Sequence, residues 1–282
     1  MIGSKELEAE RDTMATMVEL TSAFEGIASA HIAQIREQVL MSQQFFGDLW
    51  RIYTQLRVDG LFRFGRDDKS KTIEKDLVII VTSEGSFSGD IDQRLVNQVI
   101  KVYDGAKHDV LVVGHHGSIL LSQKGIPFVR SFKTPEHDLN INTAPIVAEV
   151  QKYKSALVYF QRYNSLMSQS VESIHLSRVV MEMGNAVSAG EEVINEKTYI
   201  FEPNAYAVVG HLERSMMQIS LSQVILESKL AQYASRFKAM SVAKERAEDT
   251  LGDVTLMYNR ARRHEKDERS KEILNGLRKA TA

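Results

Sequence analysis

The chain has no cysteine, four prolines and a single tryptophan in 282 residues. Without thiols there is no disulfide framework, no thiolate metal site and no cysteine nucleophile. Proline is absent from residues 1–57 and again after Pro203; Pro127, Pro135, Pro145 and Pro203 all lie between. Both ends therefore lack the residue that most strongly interrupts helices. Apolar runs are short: Leu77 to Val81 falls far below the roughly 20 residues that span a bilayer. Any membrane contact is expected to come through partners. No signal-peptide pattern opens the chain, because Lys5, Glu6, Glu8, Glu10 and Arg11 lead into amphipathic sequence. With 35 basic and 37 acidic residues, the net charge of -2 gives no electrostatic reason to expect nucleic acid.

What is present at the two ends is periodic. Leu226, Leu230, Tyr233, Phe237, Met240, Lys244, Ala247, Leu251, Val254, Tyr258 and Ala261 follow alternating steps of four and three, broken in character only by Lys244. That spacing keeps one stripe of a long helix against a partner helix. A helix of roughly 70 residues would extend on the order of 100 Å. Near the start, Met17, Leu20, Phe24, Ile27 and His31 form a similar ladder. It slips phase once and resumes at Ile35, Val39, Ser42, Phe46, Leu49, Tyr53 and Leu56. The two ends are expected to pair with each other.

The middle alternates strand and helix signals. Leu77 to Thr82, Val110 to Val113, Ile126 to Val129, Ala156 to Tyr163 and Val171 to Met181 read as strands; Ile91 to Tyr103, Ser118 to Lys124 and Thr143 to Lys154 read as helices. This order predicts a partly parallel sheet with helices on its faces. Asp59 to Lys75 reads as the hinge into it. The expected class is α/β: a long antiparallel coiled coil of the terminal helices plus a central Rossmann-like α/β domain. The boundaries are 1–57 for the first helix, 58–75 for a linker, 76–203 for the α/β domain and 204–282 for the last helix.

Few residues suggest chemistry. The loop Thr82 to Asp90 follows a strand and precedes a helix, but its glycines fit neither dinucleotide nor P-loop spacing, and Glu84 and Asp90 repel phosphate. It reads as a structural turn or docking surface. His115 and His116 lack the spacing of a metal site and read as solvated loop residues. His31 falls on the seam and reads as a hydrogen-bonded core histidine. Arg260, Arg262, Arg263, Lys266, Arg269 and Lys271 are diluted by Glu265, Asp267 and Glu268, which suits a solvated face or a docking surface for an acidic partner. No cofactor, metal or catalytic residue is expected.

Ordered motifs carry a family resemblance. Tyr199-Ile200-Phe201-Glu202-Pro203, Leu226-Glu227-Ser228-Lys229, Ala234-Ser235-Arg236-Phe237-Lys238-Ala239-Met240 and Leu256-Met257-Tyr258-Asn259-Arg260-Ala261-Arg262 resemble the YxxEP, LESK, AxRxxAM and LxYNxxR patterns of F-type ATP synthase gamma subunits. Glu272-Ile273 and Gly276 resemble the closing EIxxGA. Gly114 to Phe132, Thr82 to Asp92 and Thr21 to Ala28 resemble the family's middle and opening motifs more loosely. The resemblance implies a non-catalytic rotor shaft that couples ion flow through the c-ring to conformational cycling of the beta subunits. Its implied partners are the alpha and beta subunits of the catalytic ring, the epsilon subunit and the c-ring, in a complex held peripherally at the cytoplasmic face of a bacterial membrane. The implied partner contacts are Phe24, Glu84, Arg260, Arg262, Arg263, Ile273 and Leu274.

One departure stands out. The family's first helix carries a basic track before its TKAM-like motif, whereas Asp12 to Ser22 contains no basic residue. Residues 1–57 hold five Lys and Arg against eight Asp and Glu. Arg263 stands where the family has glutamine. Two other classes compete with the rotor reading: a coiled-coil scaffold unrelated to ATP synthesis, which would share the seam without the ordered motifs, and a small α/β enzyme, for which no nucleophile and base set is legible.

Overall fold

Five consecutive apolar residues, Leu77 to Val81, are all buried at the end of strand β1 (Ile73–Val81). A strand covered on both faces reads as a continuous apolar run, and β1 is the centre of such a sheet. The computed structural model describes residues 3–55, 73–85, 87–134, 141–176, 202 and 205–281. In order these form α1 (Ser4–Gln55), β1, α2 (Ile91–Val102), β2 (His108–Val113), α3 (His115–Gln123), β3 (Arg130–Phe132), α4 (Ala144–Val150), β4 (Tyr153–Ser165), β5 (Ser168–His175) and a last helix, α5 (Ala205–Thr281). Strand order is β3-β2-β1-β4-β5; β5 alone runs antiparallel, hairpinned to β4.

The chain divides into two compact units, residues 29–236 and residues 1–28 with 237–282. In the first, one sheet face (Val78, Ile80, Val110, Val112) packs on Leu95, Val96 and Val99 of α2 and Leu121 of α3. The opposite face (Leu77, Ile79, Val81, Leu111, Val113) packs on Ile146, Val147 and Val150 of α4 and on Met216, Leu221, Val224 and Ile225 of α5. The first stretch of α5 is thus core of the α/β unit. In the same unit Leu226 and Leu230 meet Ile35 and Val39 of α1.

Several elements differ from their sequence reading. Ile126 does not pair as a strand: its N–H bonds back to Leu121 O at 3.0 Å, after Gly125 at φ 70° closes α3. Pro127 then offers no donor, so bonding to β2 begins at Val129, whose N–H donates to Val110 O at 2.8 Å, and registered pairing begins at Arg130. Helix α4 stops at Val150 because Tyr153 already pairs with Ile73, which lies in the stretch expected as linker. Helix α3 starts at His115, so the histidine pair opens a helix instead of lying in a loop. Most of the expected hinge, the end of the fifth expected strand, the Tyr199-to-Phe201 and Pro203 positions, and the side chains of Ser42 to Leu56 lie outside the described residues.

The larger correction concerns α1. Met17, Leu20 and Ile27 are 50%, 54% and 52% exposed, and Phe24 is exposed as well. The inward stripe is displaced by one residue: Leu7, Arg11, Met14, Val18, Thr21, Glu25, Ala28, Ile32, Ile35 and Val39, all buried or half-buried. It keeps the four-three step without any slip. Polar residues in this stripe disguise it, and each of the charged ones has a partner. Arg11 stacks its guanidinium over Tyr258 at 4.8 Å, and Glu25 pairs with Lys244 at 3.4 Å. Ser4 donates to Glu265 at 2.8 Å, completing an antiparallel pairing within the unit. On α5 the expected stripe holds, with Met240, Ala247, Val254 and Tyr258 buried.

Candidate functional site

In a doubly wound sheet a ligand crevice is expected at the carboxyl ends of the strands where the strand order reverses. Here that place is between β1 and β4, which are parallel neighbours with β2 and β3 on one side and β5 on the other. Ser83 follows β1, Gln161 lies near the end of β4, and Asp92 opens α2.

Asp92 is 1% exposed and accepts from Ser83 Oγ, from Gln161 Nε2 at 2.7 Å and from His116 Nδ1 at 2.8 Å. Gln161 turns its other end to α5: its Oε1 accepts from Ser228 Oγ and from Gln232 Nε2 at 3.3 Å. Ser235 donates to Ser88 O at 2.7 Å, and Arg236 reaches Ser88 Oγ at 3.2 Å. The crevice is therefore occupied by side chains of α5.

The donors that could cradle a phosphate are also engaged. At the start of α3 the N–H groups of His115, His116 and Gly117 bond to Glu84 Oε2 at 3.2 Å, Ser83 O at 3.0 Å and Thr82 Oγ1 at 2.9 Å. A helix start binds anions through free N–H groups, and these three are not free. Close approach of the chain segments needs glycine: Gly114 has φ 103°, and a Cβ there would lie 2.1 Å from Thr82 O. Glu84, a candidate partner contact, also accepts from Thr134 N and so ties the loop to the end of β3.

Several ionisable groups are displaced in this region, His116 and Glu227 among them. The hydrogen bond to Asp92 holds His116 above the usual histidine value, against partial burial that lowers it. Burial raises Glu227, Arg162 at 3.3 Å opposes this, and Glu172 adds to it. His31, expected to be hydrogen-bonded, instead stacks on Tyr233 with ring centroids 4.6 Å apart, and its Nδ1 is buried without a partner.

The candidate contact residues are divided between the two units. Phe24, Arg260, Arg262, Arg263, Ile273 and Leu274 belong to the unit of the helix pair, and Glu84 to the α/β unit; all seven are exposed. The polar set of Ser83, Asp92, His116, Gln161, Ser228 and Gln232 was not legible as a set, because its members are spread over a loop and four elements with no spacing that joins them. One signal was available for the helix: between Met216 and Ala231 the apolar residues, Met216, Met217, Leu221, Val224 and Ile225 among them, are too many for one seam.

Comparison with known proteins places these features in context. The ATP synthase family matches residues 4–278. The chain is 25% identical over 277 residues to the ATP synthase gamma chain of Chlorobaculum parvum, with 92% of each covered. It is 24% identical over 275 residues to that of Geotalea daltonii, again with 92% of each covered. Its fold is similar to a chain of the Tetrahymena thermophila mitochondrial ATP synthase central stalk and c-ring, with TM-score 0.58 and 19% identity, covering 79% of this chain and 99% of the other. A chain of the Euglena gracilis mitochondrial ATP synthase matches with TM-score 0.57 and 15% identity, covering 93% and 94%.

Proposed function

Since the chain belongs to the ATP synthase family, we propose that it is the central-stalk subunit of such a complex, turning with the c-ring and coupling ion flow to the catalytic beta subunits. The observation that carries this reading is α5, a helix of 77 residues that is core in the α/β unit up to Arg236 and one half of the helix pair beyond it. A part that must pass rotation from a base to a catalytic ring needs such a member. The family match also removes the reading as an unrelated scaffold.

The subunit does no chemistry of its own in this proposal. Its effect on the beta subunits is differential contact, stronger with some of their conformations than with others, which is what shifts a multistate equilibrium. Arg260, Arg262 and Arg263 on α5 supply the charged contacts that α1 lacks between Asp12 and Ser22. Phe24 acts with the exposed row Met17, Leu20 and Ile27, and Ile273 and Leu274 act near the end of α5. Glu84 lies on the loop that faces partners of the base. The epsilon subunit and the c-ring join that base. Among the described residues no helix is long and apolar enough to cross a membrane, which suits peripheral attachment; in a bacterium the complex would present this subunit at the cytoplasmic face.

The test is reconstitution of the full chain with alpha and beta subunits and a label on the α/β unit. ATP hydrolysis should drive rotation of the label. A chain that fails to assemble, or a complex that hydrolyses ATP with the label stationary, overturns the proposal. Within an assembled complex, Arg262→Ala with Arg263→Ala should lower coupled ATP synthesis severalfold; unchanged synthesis would move the charged contact elsewhere.

A further inference from the structure

The hydrogen-bonded set at the β1/β4 edge contains one member that can change charge near neutral pH and reach solvent. His116 has its side chain 36% exposed, while its partner Asp92 is 1% exposed. Asp92 is the junction of the set. It receives the loop after β1 through Ser83, α3 through His116 and β4 through Gln161, and Gln161 passes the connection to Ser228 and Gln232 of α5. We propose that the Asp92–His116 pair is a pH-responsive latch, which when protonated tightens the docking of α5 on the carboxyl edge of the sheet and when neutral loosens it.

The argument rests on what a buried carboxylate requires. Excluded from water, Asp92 depends on its donors, and a charged donor is roughly twice as strong as a neutral one. Imidazolium at His116 supplies that charge. Neutral imidazole still donates from Nδ1 in one tautomer, but the carboxylate then keeps only uncharged partners, and the low dielectric magnifies the loss. Among the described residues His116 is the basic group paired with Asp92, and Lys229, buried on α5 next to Ser228, has interactions of its own. On the loop, Glu84 is engaged by the N–H groups of His115 and Thr134. On α2, Arg94 pairs with Asp90 at 3.3 Å. On α5, Arg236 is directed to Ser88, and the α5 and β4 groups nearest Asp92, Ser228, Gln232 and Gln161, are neutral. His115, the neighbouring histidine, is exposed, and its backbone N–H bonds to Glu84.

The direction follows from the raised titration of His116. Stabilisation is complete below the ordinary histidine value of about 6.5 and is lost as pH climbs through the higher value of the folded protein. Docking is therefore tight under mildly acidic conditions and slackens toward alkaline ones. The property belongs to the α/β unit itself and does not depend on the rotor reading.

Hydrogen exchange on the full chain in its complex, corrected for the intrinsic pH dependence of exchange, reads the latch directly. Protection of the Ser83 amide and of residues 228–236 should fall severalfold between about pH 6 and about pH 9. His116→Gln should remove that slope and hold protection at the alkaline level of the wild type throughout. Asp92→Asn should also be flat. Histidine ¹⁵N shifts of the wild type give a measurement that needs no variant, with His116 titrating above free histidine. Protection that does not vary with pH, a slope that survives His116→Gln, or a His116 titration at or below the free value each overturns the latch.

Discussion

In the α/β unit the central strands β1 and β2 are apolar where they are buried, and buried polar residues such as Asp92 and Gln161 bond to one another. In the helix pair the arrangement is reversed: Arg11, Glu25 and Lys244 occupy the seam, and Met17, Leu20 and Ile27 face outward. The first region has the composition of a finished interior. The second holds together through a thin stripe with charges in it, and leaves apolar surface for something else. The two regions therefore differ in what they leave open: the α/β unit buries a joined polar set beside a few unpartnered atoms such as His31 Nδ1 and Ser220 Oγ, and the helix pair leaves large apolar side chains uncovered.

The contrast predicts a graded series of losses. The largest should come from Gly114→Ala, which places a side chain at φ 103° against the Thr82 carbonyl. Backbone on backbone cannot give way, so we expect a cost of at least about 3 kcal/mol and loss of cooperative urea unfolding. A Gly114→Ala protein with a wild-type melting temperature would mean that the junction of β1 and β2 is softer than its geometry.

Next is Val254→Asp in the helix pair, where the wild-type side chain is 5% exposed. A carboxylate there without a partner should cost about 3 kcal/mol. Hydrogen exchange should accelerate at residues 240–258 and leave Val78 to Val81 protected. Acceleration in the sheet as well would show that the two regions do not hold their stability separately.

Gln161→Leu should be smaller, since it leaves Asp92, Ser228 and Gln232 short of one partner each at a cost of about 1 to 3 kcal/mol in thermal denaturation. The smallest effect is expected from Glu25→Leu combined with Lys244→Met. Apolar replacements fit a seam, so the double variant should lie within about 1 kcal/mol of wild type, on either side. Lys244→Met alone should be worse than the pair, because Glu25 then stays in the seam uncompensated. If the single variant is as stable as the double, the ion pair contributes nothing to the choice of register.

The same contrast explains what could be read from the sequence. Leu77 to Val81 declared itself, because a strand buried on both faces needs apolar residues without gaps. The stripe of α5 was also legible, since its polar exception, Lys244, stood among ten conforming positions. On α1 the reading took the larger side chains, Met17, Leu20, Phe24 and Ile27, to be inside. Hydrophobicity alone favoured that ladder; the true seam uses Thr21 and Glu25, whose acceptability depends on residues more than 200 positions away in the chain, such as Lys244. The strand expected at Ile126 to Val129 was set too early for a local reason, the capping of α3, with only Val129 bonded to β2, and the role of Asp92 was passed over because its donors come from elements that only the fold assembles.

The exposed row on α1 has a consequence for the life of an unassembled copy. Met17, Leu20 and Ile27, each about half uncovered, give a single chain a sticky edge that soluble monomers ordinarily avoid. Chaperones and proteases sort proteins by such surface, so an orphan should be cleared faster than one whose edge has been made polar. A cell would then keep this subunit in step with its complex without counting it: surplus copies advertise themselves. Pulse-chase turnover of the free chain against a Met17→Ser, Leu20→Ser, Ile27→Ser variant measures the effect, with equal lifetimes as the result that removes it.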